Sequence, residues 1–495
     1  MALWFPRLPT DRLQRHRKGP AGATPLVVVA KVKNAVILQA VDRRATALGL
    51  SAGLPLANAR AMLPTLKVVQ ADETADAQLL SRIADWCDRF TPHVALDGSR
   101  RLLLDVTGVT HLFGSEQAML DRIRGSLQTQ GFALRGALAG TAVAARALAR
   151  YRDGAIIACG EEEQALRPLP VEALNLDAVV THALRRAGLK TVGQVAARKR
   201  SELVVRLGSA TLAILDEALG GAAKPITPRR PPPDYWQEQN FAEPITNEEV
   251  IRASLASLTL TLSKTMERHG QGARRLEAAF FRADGVVRRI SIETGAPTHE
   301  PAIIGRLFRE RLATLSDPLD PGYGFDLIRL CAVHVECIGS EIADLNTHTN
   351  EKAEIGFLID RLATRFGDRR IIVFQPNDTH IPEKSFSLVP AQTVGISKLV
   401  WKKIRAKNPI PRRPLRMFAR PEPVNMATTA QFNWHRANRP IIQHEGPERI
   451  VMEWWQHEEV IPARDYFRAE DEAGRRYWLY RNVSTKQWFL HGMFA

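Results

Sequence analysis

Between residues 225 and 236 the chain reads PITPRRPPPDYW. No helix or inner strand passes through such a run, because each proline fixes its φ and lacks the N–H that a ladder needs. The run therefore breaks the chain, and residues 226–236 are assigned to an extended linker. The chain has 495 residues, and at roughly 150 residues per domain this suggests three or four domains.

The part before the prolines divides again. Residues 1–160 alternate strand and helix signals. ALWF, PLVVVAKV, AVILQAV, HVALDG, RLLLDVTGV and ALRGALAG read as strands. LPLANARAML, AQLLSRIADWCDRF, EQAMLDRIRGSLQTQ and AVAARALARY carry apolar residues at helical spacing. Residues 161–225 hold four short helical patterns, with Gly188, Gly208 and Gly220 as C-terminal stops. After the linker, residues 237–345 form an α+β unit. A long helix, NEEVIRASLASLTLTLSKTMERHG, leads into a hairpin turning at Asp284-Gly285. Residues 346–495 add one more helix, then a basic, Pro-rich and aromatic-rich tail. Trp478, Tyr480, Trp488 and Phe489 predict a small β unit there, and His491 reads as structural.

Lys+Arg 68 against Asp+Glu 53 gives a net charge of +15. A surface of that sign attracts polyanions, nucleic acid first, although a generally basic soluble protein has the same balance. The four cysteines form no C-x-x-C pair and complete no zinc pattern, so they read as mostly buried apolar residues in a reducing compartment. The N-terminus lacks the apolar core of a signal peptide, and no apolar run approaches about 18 residues, so a cytoplasmic chain with no membrane contact is expected. In VALDGSRRLLLDV, residues 94–106, Asp97 and Asp105 fall on adjacent predicted strands. Such a pair is either a metal site or merely a turn residue and a strand-end residue.

The run GLSAGLPLANARAMLP, residues 49–64, resembles the fingers signature of Y-family translesion DNA polymerases, with Gly49, Gly53, Pro55, Ala59 and Pro64 in the expected places. GPERIVMEWW, RDYFRAED and RRYWLYR with WFLHGMFA are similar to the tail of the ImuB-like branch, known from bacterial mutagenesis cassettes. The resemblance covers essentially the whole chain. It implies a multidomain α+β fold: a right hand of palm and fingers (1–160, fingers about 20–68), helical thumb (161–225) and little finger (237–345). A C-terminal partner-binding extension (346–495) completes it.

Family polymerases hold two divalent ions about 4 Å apart with several carboxylates. The resemblance places an acidic pair on the first strand and an adjacent Asp-Glu on the palm hairpin. Here the first positions fall near Pro6 and Leu8, and the hairpin reads Asp97-Gly98. Asp97 is the vestigial metal position. Asp105 matches a strand-end residue away from the ions, and Asp11 opens a helix, where an acid complements the dipole. The family's Tyr-x-x-Arg becomes Arg43-Arg44-Ala45-Thr46. No catalytic residue, metal or cofactor is therefore expected. The resemblance implies a DNA-binding adaptor in the DNA damage response, acting in SOS mutagenesis. Its implied partners are primer-template or damaged DNA, the sliding clamp, a RecA-like accessory protein of the cassette and an error-prone C-family DNA polymerase. GSEIADLNTHTNEKAEIG, where the family's clamp-binding peptide belongs, shows no clean version of it. An active translesion polymerase with an altered metal site, and a pure protein scaffold, are the rival expectations.

Three groups of residues are expected to hold DNA. LRRAGLKTVGQV is similar to half of a helix-hairpin-helix, with N–H groups near Gly188 and Gly193 facing a phosphate beside Lys190 and Thr191. A plain helical turn reads the same way. Arg274, Arg275, Arg288 and Arg289 lie on the two arms of one hairpin, as DNA contacts or as ordinary solvent-facing residues. Between Trp401 and Arg420 stand eight Lys or Arg and no acid, among them Lys402, Lys403, Arg412 and Arg413. That run suits single-stranded nucleic acid or an acidic protein partner.

Overall fold

The structure is a computed structural model that describes residues 1–15, 24–32, 34–221, 224–315, 319–338, 348–394, 413–414, 416–428, 430–435, 437–453, 455 and 461–494. It forms two compact units, one of Met1–Ile292 with Pro297–Ile338, the other of Glu293–Ala296 with Gly339–Ala495. Among the described residues no helix is long and apolar enough to cross a membrane.

The first unit opens with β1 (Ala2–Trp4), α1 (Leu8–Arg15), β2 (Leu26–Val32), β3 (Ala35–Val41), α2 (Arg43–Ala47), α3 (Leu56–Met62), β4 (Lys67–Gln70) and α4 (Glu73–Cys87). Then come β5 (Val94–Leu96), β6 (Arg101–Leu104), α5 (Glu116–Thr129), β7 (Arg135–Ala137) and α6 (Ala142–Tyr151). These strands make two sheets, β5-β6-β1-β7 and β3-β2-β4. Period-2 alternation splits the larger sheet into two faces. Leu3, Leu102 and Val94 pack with α4 and α5 through Leu80, Ile83, Met119 and Ile123. Ala2, Leu103 and Ala137 pack instead on α6 through Val143, Ala144, Ala147 and Leu148. Small residues along α6 let it lie close to the strands, and this is the face that carries Trp4. The three-stranded sheet closes over Val27, Val29, Leu38 and Ala59. Asp42 holds it to α2, accepting from Leu26 N at 3.1 Å and from Ala45 N at 2.7 Å.

Five short helices come next: α7 (Glu162–Leu166), α8 (Ala178–Arg186), α9 (Val192–Ala196), α10 (Arg200–Leu207) and α11 (Ser209–Ala218). The proline segment holds no helix or strand before Tyr235 and is not free, because Arg229 bonds Asp85 and Asp88. It runs directly into β8 (Tyr235–Ile245), a strand for which the polar WQEQNFAEP gives no alternation signal. Beyond it are α12 (Glu248–Arg268), β9 (Gln271–Arg282), β10 (Val287–Thr298), α13 (Pro301–Ala313) and β11 (Phe325–Cys337). The sheet order is β10-β9-β11-β8, with α12 lying on it and on α13.

The second unit contains α14 (His348–Phe366), a hairpin of β12 (Ile372–Pro376) and β13 (Phe386–Pro390), and then a closed barrel. The barrel strands are β14 (Arg416–Thr428), β15 (Gln431–Trp434), β16 (Ala437–Ile450), β17 (Arg464–Asp471), β18 (Arg476–Asn482) and β19 (Trp488–Met493). The small β unit expected from the last aromatics is thus larger and begins earlier. Pro421 and Pro447 lie where the ladder is interrupted, within the register shifts between Met417 and Glu422 and between Glu445 and Glu448, while Pro423 and Pro440 stand in register opposite Phe489 and Gln431. Tyr466 stacks on Trp478 at 4.2 Å in the interior, and His491 bonds the Tyr466 hydroxyl at 2.8 Å. All four cysteines are free. Cys87 and Cys331 are buried as expected, but Cys159 and Cys337 are exposed, so only half of them serve as core residues.

Candidate functional site

The β5–β6 hairpin turns at Asp97 and Gly98. Gly98 has φ 68, a left-handed conformation that an L side chain adopts only with strain. The turn geometry therefore disfavours a second acid beside Asp97. Asp97 itself is engaged. Its carboxylate meets Arg101 at 3.0 Å and Arg146 at 3.3 Å. The register explains how these come together. Trp4 on β1 lies opposite Arg101 on β6 and opposite Arg135 on β7, so the three share one face. Helix α6 covers that face, and Arg146 and Arg150 stand on it one turn apart. An open cleft of about 180 Å³ results, lined by Trp4, Asp97, Ser99, Arg100, Arg101 and Arg150. Arg100 donates to the carbonyls of Gln39 at 3.1 Å and Pro6 at 3.5 Å.

These residues do not fit a pair of divalent ions. Two guanidinium groups already sit where the Asp97 charge would draw a cation. Leu8 is fully buried and apolar, and Pro6 has no ligating side chain. Asp11 points elsewhere, accepting from Ala133 N at 2.8 Å, and burial pushes its carboxyl up to about 6. Asp105 caps Thr107 N at 3.0 Å; burial alone would raise its carboxyl, but the hydrogen bonds from Thr107 bring it below the usual value. The length of β6 separates Asp105 from the Asp97 end of the hairpin by about 13 Å, at roughly 3.3 Å per residue. An ion pair about 4 Å wide cannot use both. Among the described residues no three His, Cys, Asp or Glu side chains group to hold a metal. Arg43 and Arg44, at the start of α2, are exposed.

Residues 17–150 match the impB/mucB/samB family, and residues 233–366 match the impB/mucB/samB family C-terminal domain. The chain is 35% identical to Protein ImuB of Caulobacter vibrioides over 470 residues, which is 90% of this chain and 100% of that protein. The chain belongs to the ImuB family. This ImuB-family chain is also 23% identical to DNA polymerase IV of Dehalococcoides mccartyi, over 52% of its own length and 68% of the other's. The insertion ternary complex of Dbh DNA polymerase matches at a TM-score of 0.41 and 16% identity, over 67% of this chain and 99% of that one. The fold of this ImuB-family chain is mixed α/β, with a C-terminal β-barrel extension.

The residues expected to hold DNA are placed unevenly in this ImuB-family chain. In the turn between α8 and α9 the N–H groups are already used. Gly188 donates to Arg185 O at 3.0 Å and Gly193 to Arg167 O at 3.0 Å. Lys190 and Thr191 both donate to Gln194 Oε1, at 2.7 and 3.2 Å, while the Thr191 hydroxyl accepts from Gln194 N. This capping box corrects the expectation that N–H groups here face a phosphate; what remains outward is the exposed Lys190 side chain. Arg274 pairs with Glu336 at 3.5 Å, and Arg275 and Arg288 are exposed residues of the same hairpin. Arg289 is turned inward, meeting Asp88 at 2.7 Å and Glu277 at 2.6 Å. Lys402, Lys403 and Arg412 lie outside the described residues. Arg413 is bound twice to Glu448, at 2.6 and 2.7 Å, over the Trp478 ring.

Arg289 belongs to a seam that sequence reasoning missed. Asp88, at the end of α4, also takes Arg229 at 2.8 Å, and its backbone carbonyl accepts from Arg329 at 2.6 Å. Burial pushes the Asp88 carboxyl up, and Arg229 and Arg289 oppose that. The seam ties the β8–β11 sheet and the proline linker to α4. Its partners are 141 and 201 residues apart in the chain, so no local pattern announces them.

Proposed function

We propose that this ImuB-family chain is a DNA-holding adaptor of damage-induced translesion synthesis that does not itself polymerise. The observation that carries the reading is Asp97, neutralised by Arg101 and Arg146 instead of facing an open metal position. In this reading β1 and β5–β7 are the palm, β2–β4 the fingers, α7–α11 the thumb and β8–β11 with α12 and α13 the little finger. Lys190, Arg275 and Arg288, exposed side chains of thumb and little finger, contact backbone phosphates; Arg274 assists from the same hairpin. Gly188, Thr191 and Gly193 shape the turn that presents Lys190. The net charge of +15 supplies the long-range attraction.

The C-terminal extension recruits the partners that the family resemblance implies: the sliding clamp, a RecA-like accessory protein and an error-prone C-family polymerase. Lys402, Lys403, Arg412 and the neighbouring basic residues extend the DNA or partner contact. The rival reading, an active polymerase built from Asp97, Asp105 and Asp11, is disfavoured because the three carboxylates serve separate local structures.

DNA affinity measured against salt tests the adaptor against a pure scaffold. Phosphate contacts give a steep linear fall of log K with log salt. Replacing Lys190, Arg275 or Arg288 by Ala should each reduce that slope by about one. A flat response, or no binding at low salt, contradicts the reading.

A further inference from the structure

We propose that the cleft at the β5–β6 hairpin is a metal-independent phosphate-binding pocket, in which Arg101, Arg146 and Arg150 supply the positive charge. Charge accounting is the first argument. Arg100, Arg101, Arg135, Arg146 and Arg150 gather around the Trp4–Asp97 wall, and Asp97 is the carboxylate that pairs with two of them. Arg100 reaches neutral carbonyls. Arg135 and Arg150 have no carboxylate partner among the described residues; they lie over the Trp4 ring, 5.7 and 6.0 Å from its centre. A positive excess held in a partly buried cleft is costly until an anion enters.

The second argument is repulsion within the cluster. Arg101 and Arg146 converge on one carboxylate at 3.0 and 3.3 Å, and Arg150 lines the same cleft one helical turn from Arg146. The third is size and shape. A cleft of about 180 Å³ is smaller than the roughly 300–1,000 Å³ of a site that encloses a drug-sized molecule. It suits one phosphate group and a few waters, at about 30 Å³ per water. Arginine is matched to this task, since its planar fork binds phosphate oxygens in pairs. Ser99, exposed at the rim, adds a hydroxyl donor. The phosphate comes either from a free polyphosphate chain, as on a nucleotide, or from the diester of a DNA strand. The inference does not depend on the adaptor reading, because the pocket charge is present whether or not the chain recruits partners.

The test uses the full chain in EDTA at low salt. Calorimetric titration with inorganic tripolyphosphate and, separately, with a single-stranded oligo-dT compares the natural chain with R150Q and D97N. Arg150 is exposed and unpaired to any carboxylate among the described residues, so R150Q leaves no buried charge behind. We expect R150Q to weaken binding about tenfold or more, and D97N to tighten it severalfold by removing the competing anion. Loss with tripolyphosphate assigns the pocket to a free phosphate chain; loss with oligo-dT alone assigns it to a strand diester. Affinities unchanged in both variants overturn the proposal. So does binding that requires Mg²⁺ and disappears in D97N, which would restore Asp97 as a metal ligand.

Discussion

Two guanidinium groups on one carboxylate change what that carboxylate can bind. A divalent ion arriving at Asp97 would have to displace Arg101 and Arg146, and would then meet both as repelling neighbours. Gly98, in its left-handed turn, gives it no second anchor. Asp11 is a different kind of survivor. It is buried and holds Ala133 N, and its carboxyl sits at about 6 against 3.8 when unperturbed. The folded state therefore binds this proton more tightly than the unfolded chain does. Between about pH 4 and 6 stability falls as pH rises, and above pH 6 the full cost of a buried charge is present. Asp11→Asn keeps an oxygen for Ala133 without the charge. It should raise stability at pH 8 by about 1–2 kcal/mol, with the difference vanishing near pH 4. Thermal unfolding of the two chains across that range checks it.

At the level of elements, the barrel offers a titration of opposite sign. His491 lies inside it, bonded to the Tyr466 hydroxyl, and burial lowers its pKa from 6.5 to about 4. The unfolded chain binds this proton more readily, so the neutral histidine's contribution is whole above pH 6.5 and is lost as pH falls toward 4. Tryptophan fluorescence during heating should show a lower barrel midpoint at pH 5 than at pH 7, and His491→Gln should flatten that difference. Much of the element order was legible because the pattern was regular. Strands β1, β5 and β6 are short apolar runs, and α4, α6 and α12 keep helical spacing. Strands β4 and β8 were not, since β4 is four residues long and β8 is polar and carries Pro244. The barrel was legible only at its aromatic end. Its first strands are rich in prolines, which local reading treats as breaks, whereas the closed sheet takes Pro421 and Pro447 at register shifts and Pro423 and Pro440 within the ladder. The site divides in the same way. The loss of carboxylates at Pro6, Leu8 and Gly98 is written in the sequence. The arrival of Arg146 at Asp97 is not, because 49 residues separate them.

For the molecule as a whole, the proposed reading assigns DNA to the first compact unit and partners to the second. A pull-down comparing the full chain with one ending at Ile338 should lose the clamp, the RecA-like protein and the C-family polymerase in the shortened chain. Retention of all three would move partner binding to the first unit. The central claim, that the hairpin cleft no longer supports two-metal chemistry, has a more direct test. Primer extension by the purified full chain, with a recessed primer, all four deoxynucleotides and either Mg²⁺ or Mn²⁺, should give no product above background. Incorporation that Asp97→Ala abolishes would contradict it.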